Sequence, residues 1–166
     1  MSTGQTLLTL GALVLMSFTV MNVLRTTGAN EDIYNDTRLK LEAIALTTSM
    51  IEEASQMPYD EVCWDSTNMS KNLNDFTNPA SLGPDAGETS LATFDDFDDF
   101  RGYADIETTL QTIYNITCSV DYVTENNPNT PVLTKTYYKR LLITSTNPIT
   151  PDTLRLYYIH GYWYFN

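Results

Sequence analysis

The chain has 166 residues, of which 21 are acidic and 9 basic, giving a formal net charge of −12. This length accommodates one ordinary domain with an attached element and is too short for two full domains. An acidic surface repels phosphate backbones, so the composition argues against nucleic acid as a partner.

The first 28 residues predict a hydrophobic helix. No charged side chain occurs between Met1 and Leu24, and such a run would extend about 30 Å as an α-helix, which matches the hydrocarbon core of a bilayer. A cleavable signal would need a basic start and a small-residue exit site, and the run has neither. We therefore expect the helix to be retained.

Two fates are open for this helix. It is either a permanent single-pass anchor or a helix that lies in the bilayer first and later packs against copies of itself. Small and hydroxylated residues scattered through the run, such as Gly11 and Ser17, permit close helix approach and favour the second. The residues expected in a packed core of such helices are Gln5, Leu7, Leu8, Leu10, Gly11, Leu13, Val14, Leu15, Phe18 and Met21.

Residues 29–166 form the predicted globular head. After a polar break at 26–30, helical periodicity returns over about 31–57, and Pro58 should end the helix because a residue before proline is steered out of the α region. One apolar stripe contains Leu41, Ile44, Thr48 and Ile51, and a second stripe beside it contains Ala43, Met50, Ala54 and Met57. We expect this amphipathic helix to cover a sheet.

The rest of the head divides into a loop and a sheet. Residues 58–104 are rich in Asn, Asp, Pro and Gly and predict a long connection held by Cys63. Over residues 109–166, three alternating runs predict strands, separated by turn-forming segments at 126–131 and 147–152. The runs contain Ile116, Cys118, Val120 and Tyr122, then Leu141 and Ile143, then Leu154, Leu156 and Tyr158. A long hydrophobic helix that continues into the amphipathic helix, packed on one small antiparallel meander, predicts an α+β fold.

The two cysteines, Cys63 and Cys118, are both in the head. With no further cysteine or clustered histidine to complete a zinc site, the favoured interpretation is a disulfide, and two buried thiols are the alternative. A disulfide would indicate an oxidising compartment.

The order of these parts resembles the type IV pilin and pseudopilin superfamily. Residues 94–103, with the sequence FDDFDDFRGY, are similar to an acidic run in some bacterial prepilin-type proteins, and 151–154, with the sequence PDTL before the last strand, fits the same group. Typical members carry Glu at the fifth position of the mature helix. Here that position is Gln5 counted from Met1, or Thr9 counted from a cut after Gly4.

The resemblance implies a structural filament subunit with no cofactor and no enzymatic activity. Its partners would be copies of itself, the membrane before assembly and a pilus assembly machinery. It would reside in the inner membrane first and in an extracellular surface filament afterwards. A minor pilin or pseudopilin of a secretion system, and a single-pass membrane-anchored binding domain, are the alternative functions. Gln5 would form a hydrogen bond with a neighbour's terminus in place of the usual charge pair.

Other candidate sites in the head are weaker. The acidic run Asp95, Asp96, Asp98 and Asp99 is a weak calcium candidate that lacks the EF-hand spacing, and a hydrogen-bonded loop is the favoured alternative. His160, the single histidine, has no supporting catalytic motif. The terminal aromatic residues, Tyr157, Tyr158, Tyr162, Trp163, Tyr164 and Phe165, form either a core face or an exposed patch. Asn35, Asn68 and Asn115 match the N-glycosylation pattern.

Overall fold

A single α-helix, α1, runs from Thr3 to Ser55 in the computed structural model, which describes residues 2–63, 72–150 and 152–162. The polar break expected at 26–30 does not interrupt it. The Thr26 and Thr27 hydroxyls donate to the carbonyls of Asn22 and Val23 at 3.0 Å, and a single glycine, Gly28, lowers helix stability by only about 1 kcal/mol. The expectation that the hydrophobic helix continues into the amphipathic helix is confirmed.

Contacts between residues divide the chain into two units, Met1–Leu41 and Glu42–Asn166. In the second unit, the last part of α1 buries Ala43, Thr47, Met50 and Ala54, at the spacing of one helix face. This is the second of the two expected stripes, whereas Ile44 of the first is 41% exposed. The helix ends at Ser55, slightly before Pro58, in a turn tightened by the Met57 N–H bond to the Ala54 carbonyl.

The sheet has four antiparallel strands in the order β1-β2-β3-β4. Their bounds are Ala104–Thr108, Ile113–Tyr122, Tyr138–Thr146 and Thr153–Gly161. The three predicted runs are β2, β3 and β4, so the meander and the α+β fold class are confirmed. Strand β1 was missed, since it lies where the predicted loop (58–104) gives way to the predicted sheet (109–166), and all five of its residues are exposed.

Alternation along β2 places one face of the sheet against the core. Tyr114, Ile116, Cys118, Val120 and Tyr122 are buried. Their partners across the ladder continue that face, with Val120 opposite Leu141 and Tyr122 opposite Lys139. Strand β4 extends the same row, because His160 lies opposite Lys139. A lysine and a histidine therefore occupy core-facing positions next to buried aromatic residues.

Residues 58–104 contain more regular secondary structure than the long loop that was expected. Within the described part of this segment, four short 3-10 helices occur, at Glu61–Cys63, Leu73–Asp75, Leu91–Thr93 and Phe97–Phe100. The last of these is fully buried, and its Phe97 N–H donates to the Pro58 carbonyl at 2.9 Å. The segment thus packs into the core with its own aromatic side chains.

Candidate functional site

The first candidate site is the apolar part of α1, residues 7–24, which we call the apolar segment. Its large side chains are exposed, from 49% at Val20 to 76% at Leu8. The exposed residues are Leu7, Leu8, Leu10, Leu13, Val14, Leu15, Met16, Phe18, Val20, Met21, Val23 and Leu24. By length and composition, α1 is the helix in the described chain that is able to cross a membrane. A helix that is apolar on all sides requires lipid or other protein around it.

Hydroxyl groups within the apolar segment are bonded to the helix itself. Ser17 donates to the Leu13 carbonyl and Thr19 to the Leu15 carbonyl, each at 2.9 Å, while Thr9 donates to the Thr6 carbonyl at the same distance. These donors need no water. A dry environment around the segment would therefore leave none of those hydroxyl protons unsatisfied.

Two residues of the predicted core of packed helices, Gln5 and Gly11, lie in the first part of α1. Gln5 Oε1 accepts from its own chain's Ser2 N–H at 3.3 Å, and the contact of Gln5 with a neighbour's terminus stays a prediction. A Cβ added at Gly11 would meet nothing within 4 Å. The backbone at Gly11 is therefore open to close approach by another helix.

The second candidate site lies inside the head, where Lys139 is fully buried. Its Nζ donates to the Tyr59 carbonyl at 2.7 Å and to Asp60 Oδ2 at 2.9 Å, and it contacts Asp98 Oδ1. The rings of Tyr59 and Tyr122 lie 4.7 and 5.6 Å from Nζ. We call Lys139, Asp60 and Asp98 the Lys139 cluster. The sequence analysis did not identify this cluster. Lys139 lies on the same face of β3 as the buried Leu141 and Ile143, two and four residues further along the strand.

Both carboxylates of the Lys139 cluster are fixed by further donors. Asp60 accepts from the Thr77 N–H at 3.0 Å and from the Thr77 hydroxyl at 3.2 Å, and Asp98 Oδ2 accepts from the Gly83 N–H at 3.3 Å. Burial raises the pKa of the Asp98 carboxyl, and Lys139 acts in the opposite direction. One lysine faces two acids, so the cluster carries excess negative charge when all three groups are ionised.

The acidic run that was a weak calcium candidate is mostly internal to the fold. Asp96 accepts from the Asp98 N–H at 2.7 Å, Asp99 accepts from the Asp95 and Asp96 N–H groups at 2.9 and 3.0 Å, and Asp98 is bound to Lys139. In the described chain, the oxygens of Glu88, Asp95 and Asp99 come within 4.8 Å of one another. The four predicted calcium ligands therefore do not act as one group. Asp95 and Asp99 lie near Glu88, while the carboxylates of Asp96 and Asp98 have other partners.

Asp96 gives the head a pH-dependent stability. Burial, followed by the nearby charge of Asp98, raises its pKa from 3.8 to about 8. At pH 6.5 Asp96 is therefore protonated in the fold and ionised in the unfolded chain, so stability is lost as pH rises through about 8. Below pH 6.5 a second group acts in the opposite direction. Burial lowers the pKa of His160 from 6.5, so the contribution of His160 to stability rises with pH in that lower range.

We expect Asp96→Asn to remove about 1–2 kcal/mol of the stability difference between pH 6.5 and 8. Urea unfolding of the full chain in detergent at both pH values measures that difference. An exposed residue of strand β1 provides the control, since Glu107→Gln changes an acid that lies outside the buried acidic run and should keep the wild-type slope. Equal slopes in wild type and Asp96→Asn would contradict the assignment.

The predicted disulfide between the described residues Cys63 and Cys118 is not formed. Cys118 belongs to the buried cluster with Ile116, Val120 and Ile143, whereas Cys63 packs against a second cluster around Tyr59. The two positions belong to different parts of the core. The inference of an oxidising compartment therefore loses its basis.

Cys118 provides a test of this arrangement. Burial raises the pKa of its thiol to about 12, so at pH 8 we expect iodoacetamide to alkylate it at least about a hundredfold more slowly in the fold than in urea. Peptide mass spectrometry without reductant follows the reaction. Failure of Cys118 to react even in urea would indicate that a disulfide is present after all.

The remaining predicted residues occupy varied positions. His160 stacks on Phe97 with ring centroids 4.8 Å apart, and its buried Nδ1 has no hydrogen-bond partner among the described residues. Tyr157 is 56% exposed, whereas Tyr158 and Tyr162 pack against the core clusters. The terminal aromatic residues were expected to form either a core face or an exposed patch. Among the described ones, some line the core and one reaches the surface.

The three glycosylation candidates and the end of the chain complete the predicted set. Asn35 is exposed on α1 and Asn115 is exposed on β2. Asn68 lies outside the described residues, as do Trp163, Tyr164 and Phe165.

Comparison with protein-family models, with curated proteins and with solved structures finds no match to this chain.

Proposed function

We propose that this chain is the structural subunit of an extracellular, type IV pilus-like filament. Its apolar segment lies in the membrane before assembly and packs against the same segment of other copies afterwards. The heads then form the outer surface. Such an assembly is heterologous and open-ended, as a helical polymer requires. Adhesion and motility would be properties of the assembled fibre.

The observation that carries the proposal is the exposure of the apolar segment. Removing apolar surface from water contributes roughly 25 cal/mol per Å², so a helix with this many exposed Leu, Val, Met and Phe side chains is strongly driven out of water. The bonded hydroxyls of Ser17 and Thr19 and the open backbone at Gly11 suit helix-to-helix packing. The order of parts, a long apolar helix followed by a small antiparallel sheet, agrees with the pilin resemblance.

The strongest competing function is a single-pass membrane-anchored binding domain. The same apolar segment would serve as its anchor, because α1 is long enough to span a bilayer. A minor pilin or a secretion pseudopilin would share the subunit design and differ in abundance. These alternatives predict monomers or short assemblies, whereas a major subunit predicts long filaments of one protein.

The test is to shear surface material from cells that express the chain and to examine it by electron microscopy and mass spectrometry. We expect long filaments whose main protein is this chain with α1 intact. Gln5→Leu should lower the yield if Gln5 contacts a neighbour's terminus, and an unchanged yield would remove that contact from the proposal. Membrane pellets that release only monomers in mild detergent, with no sheared filaments, would favour the anchored domain.

A further inference from the structure

The geometry of the Lys139 cluster is that of a nucleophile held against an acid. Lys139 and Asp60 are fully buried and Asp98 is 3% exposed. The Lys139 amine is bound to Asp60 Oδ2 at 2.9 Å and touches Asp98 Oδ1. The third direction around Nζ is occupied by the Tyr59 carbonyl at 2.7 Å. The amine therefore has a fixed position and no bulk water around it.

Aromatic rings surround this contact. Tyr59 and Tyr122 lie beside Nζ, and Phe97, adjacent to Asp98 in the chain, is fully buried and stacked on His160. Burial in these apolar surroundings raises the pKa of the Asp98 carboxyl, which favours the protonated form of that group. A carboxylic acid beside an amine is the reactive pair for amide formation.

We propose that Lys139 and Asp98 condense to an intramolecular amide, a covalent cross-link between β3 and the short helix Phe97–Phe100. The inference concerns the head alone and does not depend on the filament proposal. It assigns a modification site to residues that would otherwise form only a buried ion pair.

The reaction balances without a co-reactant. After a proton passes from the Lys139 ammonium to Asp98 Oδ1, the neutral Nζ attacks Cγ of Asp98 and forms the Nζ–Cγ bond. Negative charge develops on Oδ2, which faces the Gly83 N–H at 3.3 Å, a donor placed to stabilise it. Gly83 has a φ of +127°, a conformation that glycine adopts more readily than other residues.

Asp60 supplies the proton transfer that completes the step. Its Oδ2 is already hydrogen-bonded to Nζ, so it accepts the proton that Nζ releases and passes it to the Oδ1 hydroxyl. The Cγ–Oδ1 bond then breaks and Oδ1 leaves as water. The net change is an ammonium and a carboxylate becoming an amide and one water. Fixed proximity replaces the entropic cost of bringing two reactants together.

The cross-link would close a covalent loop between positions 98 and 139, which are 41 residues apart in sequence. Such a loop restricts the unfolded chain in the same way as a disulfide, and reductants would not break it. A head whose two cysteines are not joined would thereby gain a covalent constraint.

The test is mass spectrometry of the purified full chain in detergent. We expect an intact mass lower than the sequence mass by one water, and a branched tryptic peptide that joins the segments containing Asp98 and Lys139. An unbranched peptide ending at Lys139, with no water lost, would overturn the proposal. The branched peptide also separates the cross-link from a water loss within a single segment.

Two variants assign the roles. Lys139→Arg should have its full sequence mass, because guanidinium does not attack the acid. Asp60→Asn retains an acceptor oxygen and removes the proton acceptor, so we expect mostly unreacted chain in a head that is folded by circular dichroism. A complete cross-link in Asp60→Asn would overturn the role of Asp60. Should either variant fail to fold, the wild-type peptide map alone decides whether the bond exists.

Discussion

Replacement of Lys139 by methionine is expected to destabilise the head by about 3–5 kcal/mol, because removing one partner of a buried ion pair leaves the others without compensation. Methionine supplies neither the cation of the ion pair nor the amine that the proposed amide requires, so the carboxylates of Asp60 and Asp98 would be left inside the core without a cation. Domains of ordinary stability have about 5–15 kcal/mol in total. The variant should therefore lose a large share of its folding free energy, as measured by urea unfolding of the full chain in detergent.

The matched control is Lys40→Met on α1. Lys40 forms an ion pair with Asp36 at 2.8 Å, but both side chains are about half exposed, and such pairs contribute little. We expect a change below about 0.5 kcal/mol. Equal stability of the two variants would contradict the structural role of the Lys139 cluster. A partial recovery on adding Asp60→Asn and Asp98→Asn to Lys139→Met would identify uncompensated charge as the cause of the loss.

The second large effect is expected from Leu13→Arg in the middle of the apolar segment. A charged residue at the centre of a membrane helix costs about 2.5–3.5 kcal/mol on insertion scales, where leucine is favourable. The same charge would be buried without a partner in a core of packed helices. We therefore expect loss of membrane retention and of sheared filaments, measured by fractionation and electron microscopy.

Two control variants distinguish the effect of the mutated position from the effect of the introduced charge. Leu13→Met keeps an apolar side chain of similar size at the same site and should assemble normally. Leu110→Arg introduces the same charge at a residue that is 98% exposed between β1 and β2, so the fold and the membrane retention should be unchanged. Normal filaments from Leu13→Arg would show that the apolar segment is not the assembly element.

Sequence patterns predicted those elements in which burial alternates regularly. Strand β2 was evident because Ile116, Cys118 and Val120 alternate with polar residues, and β2 indeed alternates between buried and exposed positions. Strand β1 carries no such signal, since both of its faces are exposed. The hydrophobic helix was expected to continue into the amphipathic helix, and the polar residues at 26–30 do not interrupt it, because a local breaker such as Gly28 has a small cost that a long helix tolerates.

The interior chemistry was the least predictable part of the molecule. Lys139 follows two tyrosines at the start of a strand, where a lysine is ordinarily solvated, and its partners Asp60 and Asp98 are 79 and 41 residues away in sequence. Only the folded chain brings them together. The acidic run at 95–99 was a weak calcium candidate with a hydrogen-bonded loop as the favoured alternative. The Asp96 and Asp99 carboxylates accept from backbone N–H groups, and Asp98 contacts Lys139.

In the proposed filament, the apolar segment is enclosed by copies of itself. A photo-reactive phenylalanine derivative in place of Phe18, which is 69% exposed in the single chain, tests it directly when sheared surface material is irradiated. We expect covalent ladders of this chain, with mass spectrometry locating the link between two apolar segments. Monomers cross-linked only to lipid would contradict it.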